Sequence, residues 1–348
     1  MKSVRLYGPR DLRIENIPDP AAPRAGEVLI RVGAVGICGS DLHMYADGRI
    51  GDTVFSSPLV LGHEFMGTVT AVGDGALDGR QQPLHVGQRV AVDPSSPCYH
   101  CEMCDQGHPN LCLNHTFYGV YPTNGALQEC MIVNARNCFP IPDSISDGAG
   151  TLLETLGIAI HSVDLGKLRV ANSVAVIGCG PVGMLILKLA QVAGASPVFA
   201  FDKLPWRVEK ARQWGAQAYN VNEADPLQTL MAATNGRGVD VVFEAAWADA
   251  SVQLAADMAR IGGRVVLVGI PGDDRLQMQH STARRKGLNL KLVRRMKHTY
   301  PRAIRLATSG AVDLDDLISE TVTLDQAGAA FKKNNDYVEG VQKIVIIV

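Results

Sequence analysis

The segment Gly178-Cys179-Gly180-Pro181-Val182-Gly183 follows the apolar, β-branched run 173–177. It precedes a stretch with apolar side chains at Val182, Leu185, Ile186, Leu189, Ala190 and Ala193, the stripe of a helix packed on one side. Placed between strand and helix, a G-x-G-x-x-G loop leaves the backbone few options. The first glycine makes the tight turn, the second lets a pyrophosphate approach the main chain, and the third lets helix pack on strand. The helix N-terminus then faces the phosphates. Further runs at 198–201, 218–221, 239–243, 264–268 and 288–292 alternate with helical stretches. With the first run they give six strands and their crossovers, so the fold class is α/β with a doubly wound parallel sheet.

The second of these runs ends at Asp202. A carboxylate there accepts both ribose hydroxyls of NAD and repels a 2′-phosphate, which favours NAD over NADP. Arg207, a few residues on, weakens that selectivity, and a plain cap on the following helix is the competing role for Asp202. The expected cofactor set is Gly178, Gly180, Pro181, Val182, Gly183, Asp202, Arg207 and, at the end of the fifth run, Val268 and Gly269.

The chain before this region differs in texture. It is rich in Gly, Pro and Val, with short β-type runs at 28–32, 65–72 and 89–92, which predicts an irregular, mostly antiparallel β domain. After residue 292 the rhythm ends in a helix at 302–309, a helix at 324–334 and a strand at 343–348, too little for a separate domain. The 348 residues suit two domains. The expectation is a domain formed by 1–155 and 296–348, interrupted by a nucleotide-binding domain at 156–295. Lys and Arg number 33 against 35 Asp and Glu, a net charge of −2, so there is no electrostatic case for nucleic acid or an anionic membrane. The first eighteen positions carry Lys2, Arg5, Arg10, Asp11, Arg13 and Glu15 and no apolar core of a signal peptide. The longest apolar run, near 182–192, is too short and interrupted to span a bilayer, so a cytoplasmic chain is expected. The run 264–270 is a candidate for strand pairing across a two-fold in a homo-oligomer.

Eight cysteines are distributed unevenly. Clustered cysteines in a cytosolic chain point to metal or catalysis rather than disulfides. Cys98-x2-Cys101-x2-Cys104-x7-Cys112 can surround one ion with four thiolates; zinc takes four sulfurs in a closed tetrahedral shell, a structural site. An iron–sulfur cluster uses the same ligands, but nothing else in the sequence suggests electron transfer. His100 and His108 lie nearby and are not needed. Elsewhere, Cys38-Gly39-Ser40-Asp41-Leu42-His43 and Gly62-His63-Glu64 offer one sulfur, one imidazole and one carboxylate, with a further carboxylate at Glu154. Three protein ligands plus an open position is the catalytic zinc arrangement, and Asp41 is a partner for the His63 ring. Cys130 and Cys138 are assigned to packing.

With these motifs in order, the sequence resembles the zinc-containing medium-chain dehydrogenase family along essentially its whole length. Within it, the resemblance is closest to polyol dehydrogenases of the sorbitol and xylitol type. It is carried by Cys38-Gly-Ser-Asp-Leu-His43, Asp47-Gly-Arg-Ile-Gly51, Gly62-His-Glu64, Leu153-Glu154-x-Leu156 and the segment from Lys291 to Pro301. The resemblance implies a GroES-like β-rich catalytic domain beside a Rossmann domain, two zinc ions per subunit and NAD. It implies that Cys38, His63 and Glu64 hold the catalytic zinc, with Glu154 at or beside it. Phe117 and Arg295 line the polyol pocket, and Ser40 and His43 relay the proton. The reaction implied is oxidation of a secondary hydroxyl of a small polyol to a ketose, in a dimer or tetramer. Three positions depart from the pattern: Met44 stands where polyol enzymes usually show an aromatic residue, Thr155 replaces a common proline, and Trp247 replaces a glycine. Another zinc alcohol dehydrogenase or a threonine-type dehydrogenase is the rival reading, and a dinucleotide-binding structural or regulatory protein is the rival of another class.

Overall fold

A computed structural model describes all residues of 1–348 except Ser57, Trp247, Asp249, Gly272 and Asp273, so the Trp247 departure lies outside the described residues. Contacts divide the chain into two units: Met1–Thr155 with Tyr300–Val348, and Leu156–Thr299. The return to the first unit falls at Tyr300 rather than 296. The Tyr300 hydroxyl donates to Val92 O (2.7 Å) and its ring stacks on Phe139, whereas Met296 and Thr299 pack against Gly157.

In the unit Leu156–Thr299, the six apolar runs form one parallel sheet. Its spatial order is Gln217–Asn220, Val198–Asp202, Val174–Ile177, Val239–Glu244, Ala259–Leu267, Asn289–Leu292. Counted along the chain this is 3-2-1-4-5-6, the nucleotide-binding doubly wound order. The central strands Val174–Ile177 and Val198–Asp202 are buried at every position, as expected of a sheet covered on both faces. The helix Pro181–Val192 starts with proline at its first turn and Gly180 as N-cap. It buries Met184 and Leu187 in addition to the predicted stripe, while Ala193 lies beyond its end and is exposed.

The edge of this sheet is not where the sequence suggested. Ala259–Leu267 pairs on both sides, so the run 264–270 has no open edge there. The outer strand is Asn289–Leu292, all four residues of which are exposed. Asp240 ties the sheet's first and fourth strands together. Its carboxylate accepts the Ser173 N–H and hydroxyl (both 2.9 Å), Arg237 (2.7 Å) and Arg260 (2.6 Å). Burial opposes its charge, but these donors outweigh burial and hold the carboxyl well below the usual carboxylate range.

The other unit is built on a mostly antiparallel sheet in the order Cys138–Pro140, Arg89–Val92, Glu64–Val72, Glu27–Gly36, Ile344–Ile347, Glu320–Thr323. Cys130–Asn134 also pairs with Glu27–Gly36. Val28, Ile30, Val32, Val69, Val90, Val92, Ile344, Ile346 and Phe331 fill its core. Cys138 is fully buried there, as is Met44, which therefore packs the domain interior. The late elements are the helix Tyr300–Thr308, a 3-10 turn and helix over Leu324–Asn335, and the strand Ile344–Ile347. The hairpin Lys2–Gly8/Asp11–Asn16 and the helices Gly39–Asp47 and Asp147–Gly166 had no counterpart in the sequence reading. Two registers position the site: Gly36 pairs with Glu64, and Val345 pairs with Gly36. Among the described residues, no helix is long and apolar enough to cross a membrane.

The Asp240 cluster gives a pH signature. A carboxyl depressed in the folded state adds stability above its unfolded pKa of about 3.9, and that stability fades as pH falls below it. Asp240→Asn should therefore lose stability relative to the native chain at pH 6–7, with the difference shrinking towards pH 3. Urea denaturation at a series of pH values reads this, and a pH-independent difference would reject it.

Candidate active site

Cys38 sits at the N-cap of the helix Gly39–Asp47, its sulfur accepting the N–H of Asp41. Asp41 organises what surrounds it. One carboxylate oxygen accepts the Cys38 N–H (3.0 Å); the other accepts the Gly62 N–H (3.3 Å) and lies 3.1 Å from His63 Nδ1. One buried carboxylate thus closes the helix, fixes the loop before Glu64–Val72 and leaves Nε2 of His63 as the ligating nitrogen. Ser40 Oγ is 3.3 Å from that Nε2, and the Phe117 ring lies 5.5 Å from the His63 ring, centroid to centroid.

Glu64 is held from three directions. It lies in register with Gly36, and a Cβ at Gly36 would come within 2.5 Å of Glu64 Oε2. The Thr155 hydroxyl donates to Oε1 (2.9 Å), and the Lys343 ammonium pairs with Oε2 while donating to Ile37 O (3.0 Å). Glu64 and Lys343 are both 1% exposed. Burial disfavours the charged Lys343, but Glu64 and Cys38 outweigh that and raise its pKa above the ordinary value. Likewise burial opposes a charged His63 ring, yet Asp41 and Cys38 hold its pKa well above normal.

One donor atom each from Cys38, His63 and Glu64 lies within 4.8 Å of the others. Sulfur, imidazole and carboxylate brought together in this way are the donor set of an open zinc site, and they fit that ion. Glu154 is 4% exposed on the helix Asp147–Gly166 and is outside this three-donor group. His43, on the next turn of the helix from Ser40, lies 3.3 Å from Asp47; burial lowers its pKa more than Asp47 raises it.

The sulfurs of Cys98, Cys101, Cys104 and Cys112 also lie within 4.8 Å of one another. Cys112 Sγ is 3.4 Å from Cys98 Sγ and 3.8 Å from Cys101 Sγ, and all eight cysteines are free. Sulfurs about 2.3 Å from a central zinc are separated by about 3.8 Å, so the spacing suits one ion. Backbone N–H groups of Cys98 and Asn114 point at Cys112 Sγ (3.2 and 3.4 Å). The N–H groups of Leu113 and Cys104 draw the Cys101 thiol down to about 6, whereas desolvation and the sulfurs beside it push Cys104 up to about 12. Four thiols in contact cannot all shed their protons unaided, which is the demand a divalent cation meets.

In the parallel-sheet unit, the loop before the helix Pro181–Val192 has the expected close approaches. Gly178 adopts φ +95°, and a Cβ on Gly183 would meet Gly178 O at 1.8 Å. Asp202 ends its strand and accepts the N–H of Cys179 (2.7 Å) and of Leu204 (2.9 Å), so it braces the glycine loop. Its helix-capping alternative fails in detail, since the N-cap of the following helix is Leu204. The Arg207 guanidinium faces Gly180, 3.6 Å from where a Cβ would stand. Val268 and Gly269 follow the fifth strand and both donate to Glu244 O (2.8 and 3.0 Å). Arg295 belongs to this unit, with a left-handed backbone (φ +60°) just after the sixth strand.

The sequence reading missed Lys343 and the role of Gly36. A single lysine before an apolar strand carries no signal of a buried ion pair. Thr155 was visible only as a departure from proline.

Residues 24–143 match the family model of the alcohol dehydrogenase GroES-like domain, and residues 181–309 match that of the zinc-binding dehydrogenases. The chain is 35% identical to a sorbitol dehydrogenase of Bacillus subtilis over 347 residues, which covers 99% of this chain and 97% of that one. It is also 35% identical to a protein of Aspergillus fumigatus described as a probable D-xylulose reductase A, over 95% of this chain and 92% of that one. An alcohol dehydrogenase of Escherichia coli CFT073, solved with NADH, superposes with a TM-score of 0.89 at 30% identity, covering 100% and 99% of the two chains.

A side chain at Gly183 would close the loop. Gly183→Ala is expected to weaken NADH binding by more than about 1.4 kcal/mol, or tenfold in Kd. Zinc content should stay the same. Nucleotide fluorescence titration with metal analysis checks both, and unchanged NADH affinity would remove the loop from the cofactor site.

Proposed function

Because the chain belongs to the zinc-binding alcohol dehydrogenase family, we propose that it oxidises a secondary hydroxyl of a small polyol, of the sorbitol or xylitol type, to a ketose. The observation that carries this reading is the set of half-buried Cys38 with buried His63 and Glu64, braced by Asp41 and separate from a four-cysteine lobe. The named activities of the relatives and the polar, basic stretch 294–298 favour a polyol over an apolar alcohol.

The assigned roles follow from chemistry and position. Cys38, His63 and Glu64 hold the catalytic zinc, and Cys98, Cys101, Cys104 and Cys112 hold the structural one. When bound, zinc supplies Lewis-acid activation of the hydroxyl and NAD accepts the hydride. Ser40, close to His63 Nε2, is placed to take a proton from the substrate hydroxyl. His43, whose pKa burial lowers more than Asp47 raises it, is assigned the next step of the relay, passing the proton towards solvent. Glu154 adds negative potential near the donor set, Phe117 forms an apolar wall against His63, and Arg295 hydrogen-bonds further substrate hydroxyls. Gly178, Gly180, Pro181, Val182 and Gly183 would hold the pyrophosphate of NAD, Asp202 and Arg207 its adenosine ribose, and Val268 and Gly269 its nicotinamide half. The zinc-binding domain is assigned to 1–155 and 300–348 and the NAD-binding domain to 156–299. Eight free cysteines favour the reducing cytoplasm, and the exposed edge strand Asn289–Leu292 is the surface assigned to self-association.

Turnover with NAD should be highest on xylitol or sorbitol in a panel that includes threonine and 2-butanol; a preference for either of the last two would replace the polyol assignment. Cys38→Ser should lower zinc from two ions per chain to one and abolish turnover while NADH affinity persists. Turnover at native rate in the one-zinc variant would sink the mechanism. Asp202→Ala should raise KM for NAD more than it lowers kcat; steady-state kinetics with an unchanged KM would reject its ribose role.

A further inference from the structure

Glu64 poses a geometric problem that its ion pair alone does not solve. The last side-chain torsion of a glutamate is broad and roughly two-fold, so a carboxylate anchored at one oxygen still swings. Lys343 anchors Oε2 only. The second anchor is the Thr155 hydroxyl on Oε1 at 2.9 Å, with Thr155 itself 2% exposed. Its neighbour one turn back, Thr151, donates its hydroxyl to Gly148 O (2.8 Å), which leaves Thr155 as the residue of this helix face that donates to Glu64 among those described. Gly36 leaves the space in which the carboxylate and the Lys343 ammonium meet.

We infer that Thr155 is a positioning residue: with Lys343 it locks the Glu64 carboxylate in one rotation towards Cys38 and His63, and the site's hold on its metal depends on a hydroxyl at position 155. The inference rests on Cys38, His63 and Glu64 being metal donors. Thr155 reaches no metal and acts only through Glu64. Partners of metal ligands of this kind typically change metal affinity by about 10–100-fold when removed. A valine at 155 keeps the shape and β-branching of threonine and deletes the donor, leaving Oε1 buried with one partner fewer.

The experiment follows zinc leaving the intact purified chain under excess colour-forming chelator, with metal analysis before and after. The four-cysteine zinc is the internal reference in every trace. In Thr155→Val, one zinc of two should leave at least about tenfold faster than in the native chain, the other at the native rate. In Thr155→Ser, which keeps the hydroxyl, both should leave at native rates. Native kinetics for both zincs in Thr155→Val, or equal acceleration in Thr155→Ser and Thr155→Val, would overturn the inference. Acceleration of both zincs together would overturn it too, since it marks general loosening. A native chain carrying a single zinc that Cys38→Ser does not alter overturns instead the metal-site reading beneath it.

Discussion

The antiparallel register at Gly36 is the constraint on which the open metal site depends. It sets Glu64 opposite Gly36 on one side and Val345 opposite Gly36 on the other. Side chains alternate faces along a strand, so a slip of one residue on either side would turn Glu64 or Lys343 to the wrong face. The buried pair then reinforces the register that made it. Two opposite charges with 1% exposure are tolerated only when each has its partner and further hydrogen bonds. Glu64 has Thr155 in addition to Lys343, and Lys343 has Ile37 O in addition to Glu64. Removing either partner would strand a charge in the core.

Asp41 does for the first half of the site what Lys343 does for the second. Its carboxylate spans a helix start, a glycine loop and an imidazole, three groups with no covalent reason to be near one another. The helix Gly39–Asp47 is short, and its closure by a sulfur and a carboxylate replaces the usual hydroxyl cap. Function and local stability thus use the same atoms, which leaves little freedom for substitution at Cys38 or Asp41.

What was legible in the sequence was whatever is local. The glycine loop, Asp202 and the four-cysteine lobe are each defined within a few residues of chain, and the strand–loop–helix context made them specific. Cys38, His63 and Glu64 were legible because two short motifs carry them. The helix Gly39–Asp47 was missed because a cysteine N-cap is not among the preferred capping residues. The hairpin Lys2–Gly8/Asp11–Asn16 was overlooked although Val4 and Leu6, and Leu12 and Ile14, alternate with charged residues in the period of a strand. The strand 288–292 was read as a strand, but 264–270 was taken as the pairing run because the spatial order of strands, which puts Asn289–Leu292 outermost, is not written in any local pattern. Lys343 and Glu64 meet across 279 residues, a pairing fixed by sheet register that no local pattern encodes.

The strand Ile344–Ile347 has a consequence in time as well as in space. A ribosome must deliver all of 156–299 before the lysine that completes the Glu64 pair emerges. Until then the 34–36 end of the strand Glu27–Gly36 lacks its partner on one side, and Glu64 is a carboxylate without its counter-charge. The parallel-sheet unit, contiguous in the chain, has no such wait and can fold as it is made. The brace on the open site's carboxylate is thus the last part of that site to be delivered, whereas the four-cysteine lobe has all its candidate ligands by residue 112.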